Sequence, residues 1–425
     1  MLTIEQQIAE RARRITEAPL TNLHMFIDEV MLFETFGMLS KDAAPGVDRQ
    51  TWADYNEHLG ANIEALLSAF KSGRYRAPSI RRTYIPKEDG SQRPLGIPTI
   101  EDKLLQTALS RVLTPIYEQL FYEDSYGFRP GKSQHQALGD VFQQVSFKGM
   151  RYVIDADMQN YFGTINHGSL REMLDLRIRD KVTRRMIDKW LKAGILEEGQ
   201  LSYPKEGTPQ GGSISPLLSN IYLHYVVDEW FNEQIRPRLK AKAKLVRFAD
   251  DFLLLFANKE DAERVMKVLP KRLSRFGLKL HPEKTRLVNL EPGQTKPATF
   301  DFLGFTHYMG RSRKGRRVLK RKTARKKLKT SLQRMEQWIK SNRYLPLEIL
   351  MQRLDRKMRG HYNYYGITFN TRSIAGYRRR IERMLYKWLN RRGGKSIWNW
   401  EKINQLTHQW HPLSKPVIYH KAVNP

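Results

Sequence analysis

Apolar residues in the first seventy positions recur three and four apart, at Leu23, Phe26, Ile27, Val30 and Met31. That is the spacing of one buried helix face. The segment AAPGVD at 43–48 interrupts the pattern with Pro45 and Gly46, and a second helical stretch is predicted over 52–70. From 80 to 310 short strand-like runs alternate with helices. RRTYIPK at 81–87 alternates with period two, and EDGSQ after it reads as a hairpin turn. RYVIDADM at 151–158 is a further strand. KLVRFADDFLLLF at 244–256 reads as two apolar arms folded about Ala249-Asp250-Asp251. Residues 260–276 form an amphipathic helix. From Lys314 onward the pattern predicts helix again, rich in Arg, Lys, Trp and Tyr and punctuated by Gly360, Gly366 and Gly393-Gly394. Strands set among helices predict an α+β fold.

Composition narrows the function classes. The chain has 425 residues, 40% of them apolar, and a formal net charge of +30. It has no cysteine, which excludes disulfide frameworks, Cys-ligated zinc, iron–sulfur clusters and thiol catalysis. The His residues show no metal-ligand spacing with Asp or Glu. No run approaches the roughly 18 apolar residues of a membrane span, and the N-terminus lacks a signal-like apolar stretch. A soluble, cytoplasmic protein is expected. The charge is segregated: residues 1–70 carry 5 basic and 11 acidic residues, whereas residues 311–400 carry 28 and 4. Such a block predicts a polyanion-binding module, because each neutralised phosphate releases counterions.

Candidate chemistry lies in the acidic residues of apolar strands. Asp155 and Asp157 sit in Val153-Ile154-Asp155-Ala156-Asp157, and Asp250 and Asp251 lie between two apolar arms. Carboxylates in such surroundings need a partner. Arg247 is one local candidate; a divalent cation could neutralise several at once. Hard oxygen ligands suit Mg²⁺, and two ions ~4 Å apart stabilise the attacking and leaving oxygens of phosphoryl transfer. Between the two acidic motifs lies GTPQGGSISP at 207–216, a Gly/Pro loop before the apolar run LLSNIYLHYVV.

These motifs, in this order, resemble those of reverse transcriptases encoded by bacterial group II introns. IPK…G…RPLGIPTIEDK at 85–103 resembles the fingers motif, and SYGFRPGKSQHQAL at 125–138 the stretch after it. VIDADMQNYF holds the first palm carboxylate, GTPQGGSISPLLSN the nucleotide loop, and RFADDFLLL the paired palm carboxylates. LKLHPEKT at 278–285 and FDFLGF at 300–305 resemble the end of the palm. RGHYNYYGI at 359–367 resembles the maturase region, also called the thumb or X domain. The resemblance covers about residues 40–420.

The resemblance implies an α+β right-hand polymerase with fingers and palm, a helical N-terminal extension and a helical thumb/maturase domain. It implies the ranges 1–75, 76–310, 311–395 and a short tail 396–425. Asp157, Asp250 and Asp251 would bind two Mg²⁺, with Mn²⁺ able to substitute. Asp157 is preferred to Asp155 because the family spaces this Asp five residues before an aromatic, here Phe162. Phe162 would exclude a 2′-OH. Lys87 and Arg93 would hold the incoming triphosphate, Gln210 would lie beside the nucleotide, and Lys284 would protonate the leaving pyrophosphate. Gly163 and Phe248 stand where relatives often carry Asp and Tyr.

In the basic run 311–329, Arg316, Arg317, Lys320, Arg321, Lys322, Arg325 and Lys326 are expected to contact nucleic acid from a helical surface. Most thumb aromatics (Tyr362, Tyr364, Tyr365, Tyr377, Trp388, Trp398, Trp400) are expected in the core. The implied function is RNA-directed DNA polymerase and group II intron maturase, acting on intron RNA, a DNA primer or target DNA, and dNTPs. No membrane and no obligate protein partner are expected. The cysteine-free C-terminus predicts no HNH-type endonuclease. The alternatives are a domesticated relative in phage defence or spacer acquisition, and a splicing-only RNA-binding factor.

Overall fold

The computed structural model describes residues 2–422 except 17, 87–89, 91, 198, 204–205, 208–210, 294–297 and 393–396. The chain forms two compact units. Met1–Ala137 with Ala156–Leu287 make the first, and Leu138–Asp155 with Val288–Pro425 make the second.

In the first unit the N-terminal segment is helical, in Ile4–Arg14, Glu29–Met38, Trp52–Glu57 and Leu59–Lys71. The single helix face expected over 23–31 is corrected: Leu23–Phe26 is a 3-10 turn, Ile27 is extended, and Val30 is exposed. Thr3 and Thr51 close capping boxes, and Asp28 caps the second helix. The Pro-Gly break runs against the start of the next long helix. A Cβ on Gly46 would lie 2.7 Å from Thr99 Cα, and Arg81 Nη2 donates to Pro45 O at 2.7 Å. That next helix, Ile100–Tyr117, is the spine of the unit, with Leu104, Leu105, Leu109, Val112 and Leu113 fully buried.

Beside it stands a four-stranded sheet in the order Gln92–Ile97, Ile80–Pro86, Ile195–Glu197, Gln200–Ser202. Its first pair is the expected hairpin, antiparallel with Arg93 opposite Ile85. The second hairpin, Ala243–Phe248 with Asp251–Phe256, is antiparallel with Phe248 opposite Asp251, so its loop is Ala249-Asp250. Helix Ser215–Leu223 continues through π-helical turns His224–Asp228 and Trp230–Ile235.

The second unit contains strand Tyr152–Ala156 except its last residue, and an antiparallel sheet ordered Arg317–Thr323, Phe305–Arg311, Thr299–Phe302. Helices Arg325–Asn342, Leu347–Tyr365 and Thr371–Leu389 follow. Their core gathers Ile339, Leu350, Leu354, Met358, Ile374 and Ile381. Tyr362, Tyr377 and Trp388 are buried in it, while Trp400 is exposed. The helix expected from Lys314 is corrected here: residues 317–323 are a strand, and helix begins at Arg325. Lys and Arg suit helices, but Val318 and Leu319 are both buried and the chain turns at Gly315 with φ 77°. Tertiary burial overrides the local preference.

One buried carboxyl marks the spine helix. Asp102 Oδ1 accepts from Trp190 Nε1 at 2.7 Å and Tyr75 OH at 3.1 Å. Burial pushes its pKa up to about 7, against the pull of those two hydrogen bonds. Unfolded, it titrates near ~3.9. Between about pH 4 and 7 the folded state therefore holds a proton that the unfolded state has lost, and stability falls as pH rises through that window. Asp102→Asn keeps the acceptor oxygen and should remove this component, on the order of 4 kcal/mol across the window. Urea unfolding at both ends of it checks this. The same pH dependence in both proteins would contradict it.

Candidate active site

The site is built on the loop of the second hairpin. Ala249 has φ 56°, the positive value that tight two-residue hairpin loops require at their first position. A non-glycine residue there needs external support. It comes from Arg247, a fully buried guanidinium. Arg247 Nη1 donates to Ala249 O at 3.1 Å and to Asn220 Oδ1 at 2.9 Å. Its Nε and Nη2 donate to Asp228 Oδ1 and Oδ2 at 2.7 and 2.5 Å. Asn220 Nδ2 reaches on to Gly127 O at 2.7 Å. Arg247 is thus committed by hydrogen bonds to Asp228, Asn220 and the loop backbone. Burial pushes the Asp228 carboxyl up and the guanidinium opposes it. The forked geometry is that of an ionised pair.

Asp157 follows directly after strand Tyr152–Ala156. Its carbonyl accepts from His281 N at 2.7 Å, and its side chain lies 3.4 Å from Lys284 Nζ. Gln159 N donates to Lys279 O at 2.8 Å, tying the segment to the 279–285 stretch a second time. Burial pushes the Asp250 carboxyl above its ordinary value. Asp157 adds to that rise, and Arg93 and Arg247 oppose it. Asp157, Asp250 and Arg93 therefore share one electrostatic site, reached from a strand end, a hairpin loop and the first hairpin.

Asp251 is exposed at the start of its strand. Among the described residues, no three His, Asp or Glu side chains form a closed metal-binding group. The donor set suits a cation that keeps water and substrate phosphates as its other ligands, as Mg²⁺ does. The Asp250 carboxyl, pushed up by burial and by the neighbouring Asp157, is what such an ion would relieve.

Phe162 lies half-buried in the turn Tyr161–Gly163, after Asn160 with φ 42°. Its neighbour Tyr161 is anchored in the core, donating its OH to Ser219 O at 2.8 Å. Gly163 has a steric reason to lack a side chain. A Cβ there would lie 2.5 Å from Asn160 Nδ2, and a Cβ on Gly207 would lie 2.9 Å from Gly163 Cα and 2.8 Å from Phe162 O. At the other end of the same loop, a Cβ on Gly211 would strike Gly96 O, three residues from Arg93. The Gly-rich loop thus touches the Phe162 turn at one end and the Arg93 strand at the other. Lys87 and Gln210 lie outside the described residues.

The basic run divides. Arg316, Lys322, Arg325 and Lys326 are exposed, and Arg317 and Lys320 half-buried. Arg317 Nη2 donates to Leu290 O at 2.6 Å. Arg321 is a correction: it is 2% exposed, donates to Leu138 O and lies 5.2 Å from the Phe142 ring centroid. Desolvation lowers its pKa to about 10. It is a packed core cation and presents no group to nucleic acid. Sequence reasoning missed the Asp228 anchor, whose signal is the acidic pair Asp228-Glu229 in the otherwise mostly apolar run LHYVVDEW.

Comparison with known proteins identifies the families this chain matches. Residues 85–307 match the family described as reverse transcriptase (RNA-dependent DNA polymerase), and residues 328–406 the group II intron maturase-specific domain. Protein YkfC of Escherichia coli K12 is 34% identical over 304 residues, covering 64% of this chain and 77% of that protein. Group II intron-encoded protein LtrA of Lactococcus lactis is 43% identical over 163 residues, covering 38% of this chain and 27% of LtrA. An uncharacterised 91 kDa protein in the cob intron of Schizosaccharomyces pombe is 40% identical over 185 residues, covering 44% and 22%.

The support beneath the loop makes a prediction. A Cβ on Gly127 would collide with the backbone N of Ala249. Gly127→Ala should cost about 1–3 kcal/mol of stability, as overpacking does. Gly139→Ala, within helix Gln134–Phe147 and with open space around it, should be neutral or stabilise by up to about 1 kcal/mol. Urea unfolding of both variants tests this. Equal stability of the two would show that Gly127 is not a tight contact.

Proposed function

The chain belongs to the reverse transcriptase family and carries a group II intron maturase-specific domain, and from that premise we propose how its residues divide the work. The observation that carries the proposal is the coupling of Asp157 and Asp250 in one site faced by Arg93. Asp157 and Asp250, with Asp251 beside them, would hold two Mg²⁺, replaceable by Mn²⁺. When bound, these ions stabilise charge on the attacking and leaving oxygens of nucleotidyl transfer. Arg93, exposed on its strand, binds the triphosphate of an incoming dNTP, joined by Lys87 and Gln210. Phe162 fills the space a 2′-OH would need. Lys284, next to Asp157, delivers a proton to the departing pyrophosphate.

The template is RNA, in the native setting a group II intron, and the primer is DNA. The exposed cations at Arg316, Lys322, Arg325 and Lys326 contact RNA phosphates and position the chain without reading bases. Intron-encoded relatives favour this reading over a defence or spacer-acquisition role. The paired carboxylates favour it over a splicing-only factor, which has no use for them. Cytoplasmic action is part of the proposal. Among the described residues, no helix is long and apolar enough to cross a membrane.

Asp250→Asn should slow primer extension on an RNA template by about a hundredfold or more, while RNA affinity stays near wild type. Extension above about a tenth of the wild-type rate would contradict the assignment. Asp157→Asn should behave alike and Asp155→Asn more mildly. Phe162→Ala should raise ribonucleotide incorporation relative to deoxynucleotide. An unchanged rNTP/dNTP ratio would make Phe162 a packing residue only.

A further inference from the structure

A cavity of about 930 Å³ opens within the second unit. Its rim is the turn between strands Phe305–Arg311 and Arg317–Thr323, closed by Ser312 N donating to Arg316 O at 2.8 Å. The turn sets Arg311, Arg313, Lys314 and Arg316 around the opening. All four are exposed, none forms an ion pair with a described residue, and no acidic residue lines the cavity. Phe147 and Phe369 also line it, with Lys320 Nζ 5.5 Å from the Phe369 centroid.

The backbone at Phe369 is a second, independent observation. Its φ is 76°, a left-handed conformation that a bulky residue adopts only under constraint, at a cost on the order of 1–3 kcal/mol. The constraint is the fully buried Asn370. Its Nδ2 donates to Thr323 Oγ1 at 2.9 Å and Tyr365 O at 2.8 Å, and its Oδ1 accepts from Thr323 N at 2.8 Å. Glycine would sit there without strain. The fold instead holds an aromatic ring, half-buried, on the wall of a basic cavity.

The geometry points to a binding site for an unpaired nucleotide of RNA, its base stacked on Phe369 and its flanking phosphates held by the four rim cations. The volume lies within the range of small-ligand pockets. A row of cations extending beyond one phosphate suits a nucleotide within a chain better than a free one. Duplex RNA keeps its bases stacked inside and cannot offer a ring to the pocket. The inference rests on the chain being an RNA-binding reverse transcriptase, but concerns a site distinct from the polymerase centre.

The test uses the full chain and fluorescence anisotropy with two probes, an oligouridine of about 12 nucleotides and an RNA duplex of similar length. Phe369→Gly removes the ring, with its contact to Phe142, and relieves the backbone; circular dichroism checks that the variant is folded. It should weaken oligouridine binding about tenfold, the scale of one base–aromatic stack, and leave duplex binding and the salt slope unchanged. Phe369→Tyr should bind like wild type. Replacing Arg311, Arg313, Lys314 and Arg316 with Gln should lower the log–log salt slope for oligouridine by about 3. Wild-type binding by Phe369→Gly, or equal loss on both probes, would overturn the site. Primer extension on an annealed template–primer keeps the readings apart. Phe369→Gly should extend normally, and failure of the wild-type chain to extend would refute the polymerase reading whatever the anisotropy shows.

Discussion

A buried ion pair holds the candidate active site in place. Taking Arg247 and Asp228 out of water costs several kcal/mol per ion, and their attraction offsets this only with a full set of hydrogen bonds. The set is present: two donors meet the carboxylate, and a third nitrogen serves Asn220 and the carbonyl of Ala249. Such a pair adds little net stability over an apolar pair of similar volume. What it does add is direction. It fixes the carbonyl of a residue in a left-handed conformation, and so the position of Asp250 next to it. Gly127, pressed against the same residue from the other side, leaves the loop no room to relax.

Close backbone approaches then bring the remaining parts to this loop. Gly207 packs on the Phe162 turn and Gly211 on the strand carrying Arg93. The ring proposed to screen the sugar and the cation proposed to bind phosphate are therefore placed by one short loop. Gly163 belongs to this packing, since a Cβ there would lie 2.5 Å from Asn160 Nδ2. Asp157 is set by hydrogen bonds to the 279–285 stretch, which also delivers Lys284.

Much of this was legible in the sequence. The apolar arms around Ala249-Asp250-Asp251 identified the hairpin, because two apolar runs flanking a short acidic segment suit two buried strands joined by a tight turn. The preference for Asp157 over Asp155 comes from the resemblance to group II intron reverse transcriptases, which implies an aromatic five residues after this Asp. What escaped depends on long-range packing. Arg247 reads locally as a partner for the nearby acids, yet a helix from another part of the chain supplies Asp228. The run 311–329 reads as helix because Lys and Arg favour helices, yet residues 317–323 are a strand, with Val318 and Leu319 buried and Arg321 packed against Leu138 and Phe142. The strained backbone of Phe369 leaves no mark in residue type at all.

The central claim is that the Arg247–Asp228 pair serves position more than stability. The most direct measurement is single-turnover primer extension by the double variant Arg247→Met/Asp228→Leu, alongside its urea unfolding. The account predicts stability within about 2 kcal/mol of wild type. It also predicts a rate about a hundredfold lower, because methionine cannot donate to Ala249 O and the loop loses its register. A wild-type rate from a folded double variant would contradict it.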